Sequence, residues 1–389
     1  MYNEKMLKKS RDALFFKAAT LILPLLFFSC QSAKKSGQKN LSLLFAGDIM
    51  AHTQNFSIKD YNLIWDDIRQ QVEEADFSFA NLESPVMESR PFESYPTFNM
   101  KSSYPAAALD AGFNLISLAN NHSNDQGSEG IKATSDWAKK TATERQKTAR
   151  PVFFSGIAEN GEFSASEFYW NESKILFIAV TELLNTWKNY SEINYVPPTK
   201  KGRAAFVKKI AALKEAHKPD LFLVSVHTSE EEYVLTVRPE VKAFYRELLD
   251  SGADIVVSNH PHVVRPLEVF AEKETKKIRK AIIYANGNTI SGQRRALNYD
   301  EPNEIWNYTG DGRFVQMELA LDEKGFYALN FTSTFITAYT PQGERSPVIK
   351  RLDEKFIQTL AEKGEKKNSD YYKARLEALK KIKDILTWL

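Results

Sequence analysis

Short apolar runs that stop at a histidine, an asparagine or a carboxylate recur along this chain, and helical patterns separate them. Leu41 to Ala46 stops at Gly47-Asp48, Phe77 to Ala80 at Asn81-Leu82-Glu83, and Phe113 to Ala119 at Asn120-Asn121-His122. Further runs at 152–155, 174–180, 221–226, 254–258 and 281–285 continue the series; the third closes on His227 and the fourth leads into His260 and His262. Apolar residues at helical spacing fill 60–75, 104–111, 127–140, 202–216 and 239–250 between them. Strands alternating with helices predict an α/β domain. Such a fold gathers residues from distant strand ends into one cleft.

Five of the six histidines fall in these clusters: His52, His122, His227, His260 and His262. Imidazole, carboxylate and amide oxygen together suit a borderline transition metal. Asp48 follows Gly47, whose missing side chain would let the backbone turn and the carboxylate project. Glu83 ends the neighbouring run, and two carboxylates drawn together repel unless a cation neutralises them. Asn121 offers a neutral oxygen. His122 beside it is placed to act on substrate as a general acid or to stabilise charge. Asp125 is positioned either to orient an imidazole or to cap the helix that starts near Gly127.

His260 and His262 flank Pro261. An extended segment turns residues i and i+2 the same way, and the proline restrains its predecessor to extended conformations. Both imidazoles are therefore expected to reach one centre, with His227 supplying a further nitrogen; two-ion sites hold their ions ~3.5–4 Å apart. His52 is either an additional ligand from a loop or a surface group. Arg265 is either an anion-binding residue or an ordinary surface arginine.

The first part of the chain reads as a targeting segment rather than as fold. Lys5, Lys8, Lys9, Arg11 and Lys17 precede an apolar run from Ala18 to Phe28, which is too short to span a bilayer that needs ~20 residues. Leu26-Phe27-Phe28-Ser29-Cys30 resembles a bacterial lipobox, and Cys30 is the only cysteine. Removing residues 1–29 takes away a net +3 from a chain of net +2. The remainder is then slightly acidic, so no basic excess points to nucleic acid as a partner. The expected organisation is a lipoprotein-type signal at 1–29, a polar tether at 30–40, a domain at 41–340 and a helical extension at 341–389. Within the domain, Phe314 to Leu321 and Gly325 to Tyr339 alternate as antiparallel strands do. In the extension, Ile357, Leu360, Leu376, Leu379, Ile382 and Leu386 lie at helical spacing.

GDIM at 47–50, NLESPV at 81–86, LANNHSNDQG at 118–127, HPHVVRPLE at 260–268 and NGN at 286–288 together resemble the CapA family of bacterial capsule and poly-γ-glutamate synthesis proteins. That family is built on the calcineurin-like metallophosphoesterase fold. The resemblance implies a four-layer α/β/β/α sandwich with two divalent ions, of manganese, zinc or iron. It implies Asp48, Glu83, Asn121, His227, His260 and His262 as ligands, with His52 as a possible one, and His122 with Asp125 as the catalytic pair. Arg265 and Asn288 stand where substrate would bind. The implied partners are a membrane reached through lipidated Cys30, an anionic envelope polymer or phosphorylated substrate, and other capsule synthesis proteins; the implied location is extracytoplasmic. The sequence departs from the phosphoesterase pattern at Met50, where that pattern has histidine, and at Glu83, where it has aspartate. HTSEEEY at 227–233 likewise replaces the family's H-W-G-x-E-Y. An accessory factor that binds or exports an anionic polymer is the alternative to a hydrolase.

Overall fold

The apolar runs are buried on both faces, which is why they read as continuous rather than alternating. The computed structural model describes residues 39–388, and from Asn40 onward the chain packs as one unit. The expected signal at 1–29, Cys30 and the tether as far as Gln38 lie outside the described residues.

In chain order the strands are β1 (Leu41–Ile49), β2 (Phe77–Leu82), β3 (Leu115–Ser117), β4 (Phe153–Ser155), β5 (Ser166–Trp170), β6 (Ser173–Thr181), β7 (Leu221–His227), β8 (Ile255–Asn259), β9 (Leu267–Ala271), β10 (Ile278–Ile283), β11 (Asn288–Ile290), β12 (Asp311–Asp322), β13 (Gly325–Tyr339), β14 (Val348–Arg351) and β15 (Ile385–Trp388). The helices are α1 (Thr53–Phe56), α2 (Arg69–Glu74), α3 (Ser103–Asp110), α4 (Gly127–Arg145), α5 (Lys200–His217), α6 (Pro239–Asp250), α7 (Ile305–Tyr308), α8 (Glu354–Glu362) and α9 (Lys366–Lys380). Strands follow one another in the order β4-β3-β2-β1-β12-β13-β10-β8-β7-β6-β5. β1 to β4 pair in parallel, as do β6, β7, β8 and β10. The two halves join where Ile278 of β10 meets Ala328 of β13.

Alternate residues of each central strand enter different cores. Leu41, Leu43 and Phe45 of β1 share a core with Ile175 and Phe177 of β6 and with Leu221 and Leu223 of β7. Leu44 and Ala46 face instead Trp65, Val72 and residues of α3. Leu176, Phe222 and Val224 pack against Phe206 of α5 and Phe244 and Leu248 of α6. The result is a mixed α/β domain with one core shared by the two groups of parallel strands and one against each set of helices.

The helical pattern at 60–75 divides into a 3-10 turn at Tyr61–Ile64, capped by the Asp60 carboxylate, and the short α2. β12 and β13 form the long antiparallel hairpin expected from their alternation. The segment 341–388 contains strands as well as helices: β14 pairs with β13 and β15 runs parallel to β9. Leu386 lies on β15, half exposed, and not on a packing helix face. Ile357, Leu360, Leu376 and Leu379 do enter one core, with Tyr371 and Tyr372. Buried Asp311 ties α9 to the domain by accepting from Arg375 at 2.8 Å and from Arg294 at 2.9 Å. Among the described residues, no helix is long and apolar enough to cross a membrane.

Candidate metal centre and cleft

Neighbouring strand ends deliver the polar clusters to one place. Asp48 lies opposite Asn81 of β2 and Asn288 of β11, while His227 lies opposite Asn259, just before His260. Gly47 acts by permitting close approach rather than by turning, because β1 continues to Ile49. A Cβ at Gly47 would sit 1.9 Å from the Gly287 carbonyl oxygen, so only glycine lets β1 meet the strand that carries Asn288.

Glu83, His260 and His262 each bring a ligand atom to within 4.8 Å of the others, and so do Asp48, Glu83 and His227. Glu83 is common to both groups. Its Oε1 lies 3.9 Å from His227 Nε2 and 3.6 Å from His262 Nε2. Asn121 joins the second group, with Oδ1 2.9 Å from His227 Nε2. His262 Nδ1 is 3.2 Å from Asp48 Oδ2 and 3.0 Å from Asn288 Oδ1. The segment bearing the two later histidines is not extended, as the sequence suggested: His260 has φ 100° and His262 φ 55°. Non-glycine residues at positive φ are uncommon and concentrate at functional sites. Here the kinked backbone, more than an i, i+2 alternation, turns both rings inward, and their centroids stand 5.8 Å apart.

The residues fit a divalent cation. Glu83 Oε1 and His260 Nδ1 are buried without a hydrogen-bond partner, which is costly unless something coordinates them. Burial, and then the charge of Asp48, raise the Glu83 carboxyl well above its ordinary range; a cation relieves both penalties. Burial keeps His227 and His260 neutral, the state in which imidazole ligates. For His262, burial opposes the charge, but the hydrogen bond and charge of Asp48 outweigh it and raise the pKa. The oxygen and nitrogen donor set suits manganese, zinc or iron.

His122 Nδ1 lies 2.6 Å from Asp125 Oδ2. Of the two roles open to Asp125 from sequence, the structure takes the orienting one: Gln126, not Asp125, is the N-cap residue of α4. Phe98 packs edge-on to the His122 ring, with centroids 4.6 Å apart, and its N–H donates to Asp125 Oδ2 at 2.7 Å. His122, His262 and His52 line a cleft of about 610 Å³, together with Tyr233, Glu232 and Arg295.

Three sequence expectations change. His52 belongs to neither ligand group; its Nδ1 accepts from the Gly292 N–H at 3.1 Å. Burial, followed by the charges of His262 and His122, pushes its pKa down to about 3, so it faces the cleft as a neutral ring. Arg265 is fully buried. It forms an ion pair with Glu230 and donates to the Val234 carbonyl at 2.7 Å, so its guanidinium is held inside the protein rather than presented to substrate. Asn288 is also buried: it positions His262, and its amide donates to Gln293 and the Thr309 carbonyl.

Asn81 and Asn185 were missed from sequence. The Asn81 amide donates to Asp48 at 2.8 Å and to Glu83 at 3.0 Å, and its place two residues before Glu83 on a strand was the signal that could have found it. Asn185 links Asn121, at 3.2 Å, to Asp125, at 3.3 Å. It lies in a loop 60 residues beyond Asp125, and nothing local marks it.

The chain matches the family model described as bacterial capsule synthesis protein PGA_cap over residues 42–293. It is 24% identical over 345 residues to the capsule biosynthesis protein CapA of Bacillus anthracis, covering 83% of this chain and 73% of that protein. It is 24% identical over 347 residues to the PGA biosynthesis protein CapA of Bacillus subtilis (strain 168), covering 83% of each. Among solved structures, the calcineurin-like phosphoesterase YfkN from Bacillus subtilis aligns over 86% of this chain and 99% of its own, with 11% identity and a TM-score of 0.41. The matched segment holds every strand end that builds the candidate metal centre, and the chain belongs to the family of bacterial capsule synthesis proteins.

Proposed function

We propose that this protein is a metal-dependent hydrolase of the phosphoesterase type, acting on a phosphorylated intermediate of an anionic envelope polymer during capsule synthesis. The observation that carries the reading is the His122–Asp125 pair standing beside a cluster in which Glu83 Oε1 and His260 Nδ1 are buried without partners. Asp48, Glu83, Asn121, His227, His260 and His262 would hold two divalent ions with Glu83 shared between them. Such ions supply Lewis acidity and a nucleophilic hydroxide near neutral pH. With Nδ1 engaged by Asp125, His122 keeps Nε2 for giving a proton to the leaving oxygen. Phe98 packs edge-on to the His122 ring, and Tyr233 and His52 line the cleft with it. Lipidation of Cys30 would hold the domain on the outer face of a membrane, beside the synthesis machinery.

Met50 favours a second reading, an accessory factor that binds or exports the polymer. It is buried at the cleft, and His52, the nearest alternative ligand, is turned to Gly292. The test is to purify residues 31–389, measure bound metal, and screen phosphomonoesters and diesters with added manganese or zinc. A preparation that binds no metal under any condition rules out the hydrolase; metal without turnover favours the accessory factor. Fatty-acid labelling that survives Cys30→Ser would refute the anchor.

A further inference from the structure

The segment 292–296 is a wall with a cavity on each side. Gly292, Arg294, Arg295 and Ala296 line both the cleft and a second cavity of about 320 Å³. Arg345, Asn368 and Tyr372 complete the far side, and no aspartate or glutamate lines it. Glu365 does not line it but accepts from two lining residues, Tyr339 at 3.0 Å and Asn368 at 2.7 Å. Arg294 is committed to Asp311. Arg295 and Arg345 differ from it: both are exposed, and among the described residues neither guanidinium has a hydrogen bond or ion pair. Glu344, next to Arg345 in the chain, is exposed outside the cavity. Two guanidinium groups with no carboxylate in the lining make a positive recess that shares this wall with the reacting cleft.

We propose that this second cavity is an anion subsite, where Arg295 and Arg345 hold the next anionic group of an extended ligand whose reacting end lies in the cleft. The choice of reacting end rests on the function proposed above. The ligand class is a short oligomer with a carboxylate or phosphate repeated along it, since a guanidinium fork accepts either. The test uses the full chain with its metal complement, titrated calorimetrically with pentaglutamate and with tripolyphosphate. Glutamate and inorganic phosphate serve as single-group controls. At least one oligomer should bind more tightly than its single unit, and the one that does identifies the anion. Arg345→Gln should weaken that binding about tenfold and leave the single-group ion unaffected, while Arg345→Lys keeps part of the gain. Added salt should reduce the advantage. Oligomers that bind no better than single units, or an unchanged affinity in Arg345→Gln, overturn the subsite. Turnover plays no part in this readout. Hydrolysis of small esters without oligomer binding sinks the subsite alone, and Arg345-dependent binding without hydrolysis sinks the hydrolase alone.

Discussion

The Nδ1 atom of His122 lies 2.6 Å from Oδ2 of Asp125, and both side chains are almost wholly shielded from solvent. The pair is three residues apart in the chain; His122 directly follows the candidate ligand Asn121, and Asn185 links Asn121 to Asp125 a second time. If it acts as acid and positioner, His122→Ala should lower turnover of a phosphoester by about 10²–10⁴ with bound metal unchanged. Asp125→Asn should lose part of that while leaving KM nearly intact. Turnover unaltered in His122→Ala would remove this residue from the chemistry.

Glu83 serves both ligand groups, so its amide should cost more metal than the loss of any single histidine. Glu83→Gln is expected to lower the metal content measured by plasma mass spectrometry and to abolish any rise in Tm on adding manganese or zinc. Ligand-linked stabilisation of the native chain, ~2.7 kcal/mol at a hundredfold excess over Kd, makes that rise measurable. Equal metal content in Glu83→Gln and the natural chain would exclude Glu83 as the shared ligand.

Arg265 separates a structural role from a substrate role. Arg265→Met leaves Glu230 buried with only the half-exposed Arg238 as an ionic partner, and breaking a buried pair costs at most about 3–5 kcal/mol. Denaturant unfolding should show that loss. An unchanged stability with a raised KM would instead restore Arg265 to the substrate.

Glu268 gives the stability of the carboxy-terminal strand a sign with pH. Burial alone would raise its pKa, but hydrogen bonds from Tyr284, Thr387 and Arg246 outweigh it and lower it below the ordinary range. Those bonds are 2.7, 2.7 and 2.6 Å long. A depressed carboxyl contributes stability above its unfolded value, ~4.3, and loses it as pH falls through the folded value. Glu268→Gln should therefore be less stable than the natural chain near pH 7. The difference should shrink as pH falls below 4, as read by urea unfolding at several pH values. A difference independent of pH would assign the effect to packing.

The buried Asp311 should prove hard to replace. Asp311→Ala leaves Arg294 and Arg375 without their shared carboxylate, so α8 and α9 should loosen from the domain. Proteolysis after α7 and a fall in Tm are the expected results, whereas an unchanged digestion pattern would show that the apolar core of Tyr371, Leu376 and Leu379 holds the tail alone.

By itself the sequence determined which residues end the strands and which chemistry they carry. Apolar runs of strand length must be buried, and the polar residues that stop them must then collect at one edge of a sheet; Asp48, Glu83, His122, His227, His260 and His262 were legible for that reason. Their partners across the chain were not. Whether Arg265 met solvent or Glu230, whether His52 reached the ligands or Gly292, and whether Gly47 turned or packed depended on contacts between residues far apart in sequence. The tertiary structure alone decided these, because a buried charge or a missing Cβ takes its meaning from what the fold brings against it. Asn185 and the paired cavities at Arg295 belong to the same class: no local pattern encodes a loop's distance from a site that other strands have built.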